Sequence, residues 1–443
     1  MPPRPGPRRA AAFALWAAIC VAQDADSRAA TTRPVRFALD NGLEVVLRPV
    51  ARAKAAAVLV RFRIGEAHDP PGASGVAHAL EHLWCTVATK DVPASTYEAW
   101  SAERPLGCNA QTAADSTFVA TVVAADRLDA ELADFASRLV DLRPSEEDLR
   151  RERERLKAEV ANMFGGLPVL TAPNLARAEL RDPSGRTRPG GLPATFDALP
   201  LETAAERLRK LYRAGNARLV VVGKFDAGAV AATIRERCGP APRGEPPPTV
   251  LAPPRPDSRP LRIVDVGGAA NPRDAKSAGY AAVAIEPPAL SDLDFAAYFV
   301  AMRSLSGRSA ALRPGPERPV VRFAPLDDPT FCAVVVGLRD GETPADAEAR
   351  LLAWIAERLA RIDERDIASA RQVFDATLGL GRRGDAAVAR NLYGAALALG
   401  AVDDETLDRV REALAALTVE DLRARLPGIF GPTRRAVAVV RAR

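Results

Sequence analysis

Two of the three histidines, His78 and His82, stand four residues apart with Glu81 between them, in the run His78-Ala79-Leu80-Glu81-His82. On a helix that spacing places both imidazoles on one face, one turn apart, where two side chains can ligate a single zinc ion. The pattern H-x-x-E-H is the mirror of the commoner H-E-x-x-H, and both belong to zinc-assisted hydrolysis of peptide bonds. Glu81, between the two ligands, is then the candidate general base. Chance would place H-x-x-E-H in roughly one sequence in a thousand with so few histidines, so the surrounding sequence has to decide.

A hydrolytic zinc site takes three protein ligands and leaves one position open for water, whose pKa falls from 15.7 to about 7 beside the metal. The third ligand is sought in the charged stretch from Ser145 to Met163. Ser145 ahead of an acidic first turn is a helix start signal, and neither Gly nor Pro interrupts the run. Most of its acids read as solvated partners of neighbouring cations, as Glu147 of Arg151 and Glu154 of Lys157. Glu152 and Glu159 stand apart from that pattern. They share one helix face two turns apart, and Glu159 is flanked by Ala158 and Val160 rather than by charge. Glu152 lies about 10 Å along the helix from Glu159, too far to serve beside it as a fourth ligand.

The elements that must position these groups are legible around them. Leu39 to Leu43 followed by Glu44 to Leu47 reads as a strand, an Asn41-Gly42 turn and a second strand. Val58 to Ile64 is a further strand, and the loop Gly65 to Pro70 leads into the helix of the motif. His68, in that loop, reads as a loop residue rather than a ligand.

On these motifs the chain resembles the pitrilysin, insulinase and mitochondrial processing peptidase family of H-x-x-E-H zinc metallopeptidases. In that family the third ligand is a glutamate following the motif with 76 residues between, the number that separates His82 from Glu159. The resemblance implies one zinc ion per chain on His78, His82 and Glu159, with Glu81 as the catalytic base. It also implies that Glu152, in the place of the family's second glutamate, plays an auxiliary part beside the site. Gly107-Cys108-Asn109-Ala110-Gln111-Thr112 resembles the family's G-x-N-A-x-T segment, ahead of an edge strand expected at Thr117 to Val123. The resemblance gives Asn109 and that strand a part in holding an extended substrate.

At 443 residues the chain is long enough for two domains. Leu201-Glu202, Arg207-Leu208, Leu211-Tyr212 and Val221-Val222 recur as Val419-Glu420, Arg425-Leu426, Ile429-Phe430 and Val439-Val440, every pair offset by 218. This is an internal duplication. The division expected is a zinc-binding peptidase repeat over 33–240, a Pro-rich linker over 241–260 and a second repeat over 261–443. At the same offset Glu159 becomes Thr377 and Glu152 becomes Ala370, and every histidine lies in the first half, so the second repeat is expected to be inactive. The resemblance implies an α+β fold of two tandem homologous α/β-sandwich repeats with mostly antiparallel sheets, one half of a clamshell peptidase.

A half-length chain implies a dimer. The family's second repeat carries an Arg and a Tyr that grip the substrate backbone. Here the matching segment, Leu305 to Arg313, offers Arg308 or Arg313 and is followed by Val320 and Val321 rather than by a Tyr. The expectation is a heterodimer with a related subunit that supplies the missing pair, or a homodimer that handles substrate differently.

Arg4, Arg8 and Arg9 precede an uncharged run from Ala10 to Ala22, with Cys20-Val21-Ala22 as a cleavage site, so residues 1–23 read as a signal peptide. The run is too short to span a bilayer. Export, to a bacterial periplasm, is expected ahead of secretion or a mitochondrial destination. Beyond that segment Cys85, Cys108, Cys238 and Cys332 remain, in no zinc-ribbon pattern, and a Cys85–Cys108 disulfide stays open. A net charge of +5 from 61 basic and 56 acidic residues gives no indication of a nucleic-acid partner. The function expected is a zinc-dependent endopeptidase that cuts peptides or unfolded protein segments in an enclosed chamber. The alternative is a non-catalytic scaffold or partner subunit of a heterodimeric peptidase.

Overall fold

The computed structural model describes residues 34–163, 168–181, 190–250, 261–266, 278–290, 293–306, 314–323, 332–378 and 385–442. The expected signal peptide and the Arg308 and Arg313 positions lie outside them, as do 251–260 of the expected linker.

The first repeat opens with β1 (Val35–Ala38), β2 (Glu44–Pro49) and β3 (Ala55–Phe62), then α1 (Val76–Thr86) and α2 (Tyr97–Ala102). It continues through β4 (Cys108–Thr112), β5 (Thr117–Ala124), α3 (Leu128–Val140), α4 (Glu146–Ala161) and α5 (Pro168–Arg181). Next come α6 (Pro193–Ala198), α7 (Leu201–Leu211), β6 (Ala217–Gly223) and α8 (Ala227–Cys238). The second repeat runs β7 (Arg262–Val266), β8 (Gly279–Ile285), α9 (Asp294–Ser306), β9 (Val320–Phe323) and β10 (Cys332–Gly337). Then follow α10 (Pro344–Ala360), α11 (Glu364–Leu378), α12 (Asp385–Ala401), α13 (Asp404–Ala416), α14 (Val419–Ile429) and β11 (Arg435–Ala442).

The first sheet has the order β1-β2-β6-β3-β5-β4 and the second β7-β11-β8-β10-β9. Apart from β1, the strands correspond one to one. In each sheet a single parallel pair, β2 with β6 and β7 with β11, is set among antiparallel neighbours. The bounds of α7 and α14 differ by the same 218 residues as their sequences. The duplication in sequence is thus a duplication in topology.

Both faces of the first sheet are covered, which is why β3 is buried along its whole length. Alternation sorts its side chains. Val58, Val60 and Phe62 face a core with α1, α3, α4 and α7, while Ala57 and Leu59 face the other way. That second face is covered by α12, which comes from the second repeat. Reciprocally, α5 of the first repeat lies on β8, β10 and β11 of the second sheet. Small side chains permit the approach. Ala172 and Ala176 of α5 pack among Ala282, Ala284, Ala333 and Ala438, and Gly400 of α12 sits where a Cβ would fall 2.8 Å from Leu59 Cδ2. Each repeat completes the core of the other.

Two expectations are modified. The strand Thr117–Ala124 is an interior strand, buried between β3 and β4, and the G-C-N-A-Q-T segment itself forms the edge strand β4. A mainly apolar stretch such as Phe118 to Val123, broken only by Thr121, requires neighbours on both faces, whereas the mixed polarity of β4 suits an edge. The start of the Pro-rich stretch is also tied down. Gly215 N donates to Arg243 O (2.8 Å) and Asn216 Nδ2 to Glu245 O (2.7 Å), so residues 243–245 belong to the surface of the first repeat.

Candidate metal centre

Helix α1 is buried over its full length. Its N-cap, Gly75, has no side chain to offer, and Asp69 in the preceding loop supplies the cap instead. Its Oδ2 accepts from Gly75 N (2.6 Å) and its Oδ1 from Ala77 N (2.7 Å). Burial pushes the Asp69 carboxyl up to about 7, against the pull of those two N–H groups. Gly75 adopts φ +107°, and a Cβ there would meet Gly191 Cα at 2.6 Å. Glycine lets the loop carrying Gly190 and Gly191 lie against the start of the helix.

That contact orients His78. Its Nδ1 lies 2.8 Å from Gly190 O. A carbonyl oxygen can only accept, so Nδ1 carries the proton and Nε2 keeps its lone pair. His82 is held alike, with Nδ1 3.1 Å from Glu152 Oε2. Helix α4 packs against α1 and starts with a capping box of Ser145 and Asp148, in line with the helix start expected there. The crossing places Glu159 opposite both Nε2 atoms, 3.8 Å from that of His78 and 3.5 Å from that of His82. One ligand atom from each of the three residues lies within 4.8 Å of the others. Ligands at 2.0–2.1 Å from a tetrahedral zinc are about 3.3 Å apart, so a small contraction would close this set on the ion.

The charges fit a cation. Burial alone would depress the His82 imidazole, but the Glu152 and Glu159 carboxylates outweigh it and push it up to about 9. Burial likewise opposes ionisation of Glu159, and His82 and His78 overcome it and hold the carboxyl at about 2. Two carboxylates are thus gathered around two imidazoles whose Nδ1 atoms are already engaged, an N,N,O donor set characteristic of zinc.

Glu81 is buried beside this set, and its Oε2 accepts a 2.6 Å hydrogen bond from Thr112 Oγ1. Burial raises its pKa, opposed by the charges of His78 and His82. Thr112 belongs to the edge strand β4 and is continued inward by Thr117, whose Oγ1 donates to Ile64 O (2.8 Å). Glu152, fully buried, also meets Arg151 Nε (3.2 Å) and Arg155 Nη1 (3.5 Å), so its place is against His82 rather than in the ligand set. His68 ends a single 3-10 turn, Glu66–His68, its Nδ1 accepting from Gly65 N, and is not part of the His78, His82 and Glu159 cluster. Cys85, one turn beyond His82, is buried and free, and burial pushes its thiol up. Cys108, Cys238 and Cys332 are free as well.

Asn109 lies on β4, three residues from Thr112, and strand alternation puts the two on opposite faces. It is therefore beside the open edge and not on the side of Glu81. The structure adds Thr112, Gly190 and Asp69 to the residues that the sequence marks for the site. Thr112 carried a signal, as the last residue of the G-C-N-A-Q-T segment. Gly190 acts through its carbonyl, 112 residues from His78, and no residue-type pattern announces that.

The sequence model described as Insulinase (Peptidase family M16) matches residues 44–183, which include His78, Glu81, His82, Thr112, Glu152 and Glu159. The chain is 31% identical over 229 residues to the coenzyme PQQ synthesis protein F of Pseudomonas aeruginosa, a match covering 48% of this chain and 29% of that protein. It is 27% identical over 198 residues to a PQQL-like zinc protease of Arabidopsis thaliana, covering 42% of this chain and 20% of that one. The aligned segments thus span less than a third of either relative. Among solved structures, a protease from Helicobacter pylori superposes with a TM-score of 0.73 at 20% identity, over 92% of this chain and 99% of that one. The periplasmic protease PqqL of Escherichia coli superposes with a TM-score of 0.65 at 16% identity, over 92% of this chain and 47% of that one. A peptidase M16 inactive domain from Pseudomonas fluorescens gives 0.67 at 16% identity, over 92% and 97%. These likenesses establish a fold of two α/β repeats.

Proposed function

The chain belongs to the insulinase family of peptidases, family M16, and from that premise we propose that it is a zinc-dependent endopeptidase acting on peptides or unfolded protein segments. The observation that carries the reading is the convergence of His78, His82 and Glu159 next to a buried, hydrogen-bonded Glu81. His78, His82 and Glu159 would hold one zinc ion. When bound, zinc supplies Lewis acidity, lowering the pKa of water at the site and polarising the scissile carbonyl.

The remaining steps belong to the protein. Gly190 O and Glu152 fix the two rings through Nδ1 and keep each Nε2 directed at the centre. Glu81 takes a proton from the attacking water and returns it to the leaving amine, its carboxylate held in line by Thr112. Strand β4 pairs only with β5 among the described residues, so its other edge offers backbone groups to an extended substrate, with Asn109 at that edge.

In this reading 33–240 is the metal-carrying repeat, 261–443 the inactive one and 241–260 their connection. The chain corresponds to one half of a two-half enzyme, and a second, related chain closes the chamber as a heterodimer or homodimer. Export to the periplasm is part of the proposal. No helix among the described residues is long and apolar enough to cross a membrane.

The non-catalytic subunit is the second reading, favoured by the absence of a Tyr after Arg313 where the resemblance calls for one. Chelation and re-addition of zinc to the purified chain, followed with a quenched-fluorescent peptide, separates the two. Activity lost and restored supports the enzyme. Zinc uptake with no cleavage, alone or with a candidate partner, supports the scaffold.

A further inference from the structure

Comparing the two repeats residue by residue exposes a cavity in the second one at a place where larger side chains stand in the first. Strand pairing fixes the equivalence, because Phe62 stands opposite Ala217 and Ile285 opposite Arg435, and Ala217 and Arg435 differ by the common offset of 218. In the first repeat the space between α3, α7 and the sheet is filled. Phe62 and Tyr212 are fully buried there, their rings 5.0 Å apart, and Arg213 Nη1 reaches across to Leu139 O and Val140 O at 2.9 Å each. In the second repeat Ile285 replaces Phe62, Phe430 replaces Tyr212 and Gly431 replaces Arg213. A ring is trimmed and the strap across the opening is gone.

The result is a cavity of about 470 Å³ between α10, α14, β8 and the start of β11. That volume falls within the range of about 300–1,000 Å³ usual for small-molecule sites. Its walls are Val283, Ile285, Ile355, Leu359, Leu426 and Phe430. Two cations are part of the lining, the exposed Arg423 and the half-buried Arg435. Each donates to one backbone carbonyl, Arg423 Nη2 to Ile362 O (3.3 Å) and Arg435 Nη1 to Phe430 O (3.0 Å). Neither is paired with a carboxylate among the described residues, whereas Arg425 nearby is paired with Asp294.

An apolar body with two guanidinium groups that meet no carboxylate among the described residues is complementary to an acyl chain ending in an anion. We propose that this cavity is a binding site for a single-chain fatty carboxylate, its chain against Ile285, Ile355 and Phe430 and its carboxylate between Arg423 and Arg435. The site is independent of the metal centre.

The test is calorimetric titration of the full chain with dodecanoate, and with dodecanol as the uncharged comparator. One dodecanoate per chain, bound at least about tenfold tighter than dodecanol, is expected. In the Arg423→Gln/Arg435→Gln double variant the preference for the carboxylate disappears while dodecanol binding stays. Ala356 is exposed on α10 at the cavity, so Ala356→Phe overhangs the opening without entering the core and abolishes binding of both, at an unchanged melting temperature. Equal affinity for dodecanoate and dodecanol in the wild type, no binding at all, or indifference to these substitutions would overturn the proposal. So would self-association in sedimentation that Ala356→Phe removes while dodecanoate has no effect, which would assign the cavity to a second copy of the chain.

Discussion

Thr112 Oγ1 lies 2.6 Å from Glu81 Oε2, so the edge strand where an extended substrate would pair also fixes the carboxylate that would take the proton from water. In the proposed mechanism, substrate positioning and general-base orientation would both depend on one short strand. Replacing Thr112 by Val keeps the shape and removes the donor. The expected effect is a drop in kcat of about 10- to 100-fold, the value of a hydrogen bond to a charged group, with zinc content unchanged. Thr112→Ser should retain most of the activity. Steady-state kinetics with zinc analysis checks both.

Glu152 holds His82 from the side opposite the metal position. Glu152→Ala leaves the ring free to rotate and should weaken zinc affinity by about 10- to 100-fold, with a smaller effect for Glu152→Gln, whose amide oxygen still accepts from Nδ1–H. Competition against a chromophoric chelator measures the affinity directly.

The exchange of α5 and α12 between the sheets predicts a single folding unit. Without residues 261–443 the first sheet loses the helix that covers Leu59 and Val220, and α5 loses its sheet. The intact chain should unfold in one calorimetric transition and the isolated first repeat should not fold. Two separated transitions would contradict this.

Much of this arrangement was legible in the sequence because it is local. The spacing of His78, Glu81 and His82 requires only a helix. The start of α4 follows from Ser145 and an acidic first turn, and the first hairpin from Asn41-Gly42. The offset of 218 is visible residue by residue and returns in the bounds of α7 and α14. What was not legible is carried by backbone groups or by contacts distant along the chain. Gly190 presents a carbonyl, Asp69 caps a helix from six residues away, and the helix exchange depends on alanine faces that resemble any small-residue surface. The edge strand that the resemblance implies at Thr117 to Val123 is instead the segment before it, Cys108–Thr112, because the mainly apolar run from Phe118 to Val123 suits the interior of a sheet.

Asp69 gives a pH signature. Its carboxyl is shifted upward by burial, from 3.8 to about 7, so between those values the folded chain binds a proton that the unfolded chain has released. The stability this contributes is full below about pH 4 and lost as pH rises through about 7. In Asp69→Asn that dependence is absent, so the melting temperature of the wild type relative to the variant should fall across this window. A difference that stays constant from pH 4 to 8 would show the carboxylate to be ionised throughout.

The central claim is that Glu81 acts as a base beside a metal held by His78, His82 and Glu159. It is tested most directly by hydrolysis of a quenched-fluorescent peptide library by wild type and Glu81→Gln, with zinc determined in both. The account predicts about one zinc per chain in each, and a rate at least about 100-fold lower in the variant. Equal cleavage by the two proteins at equal zinc content would contradict it.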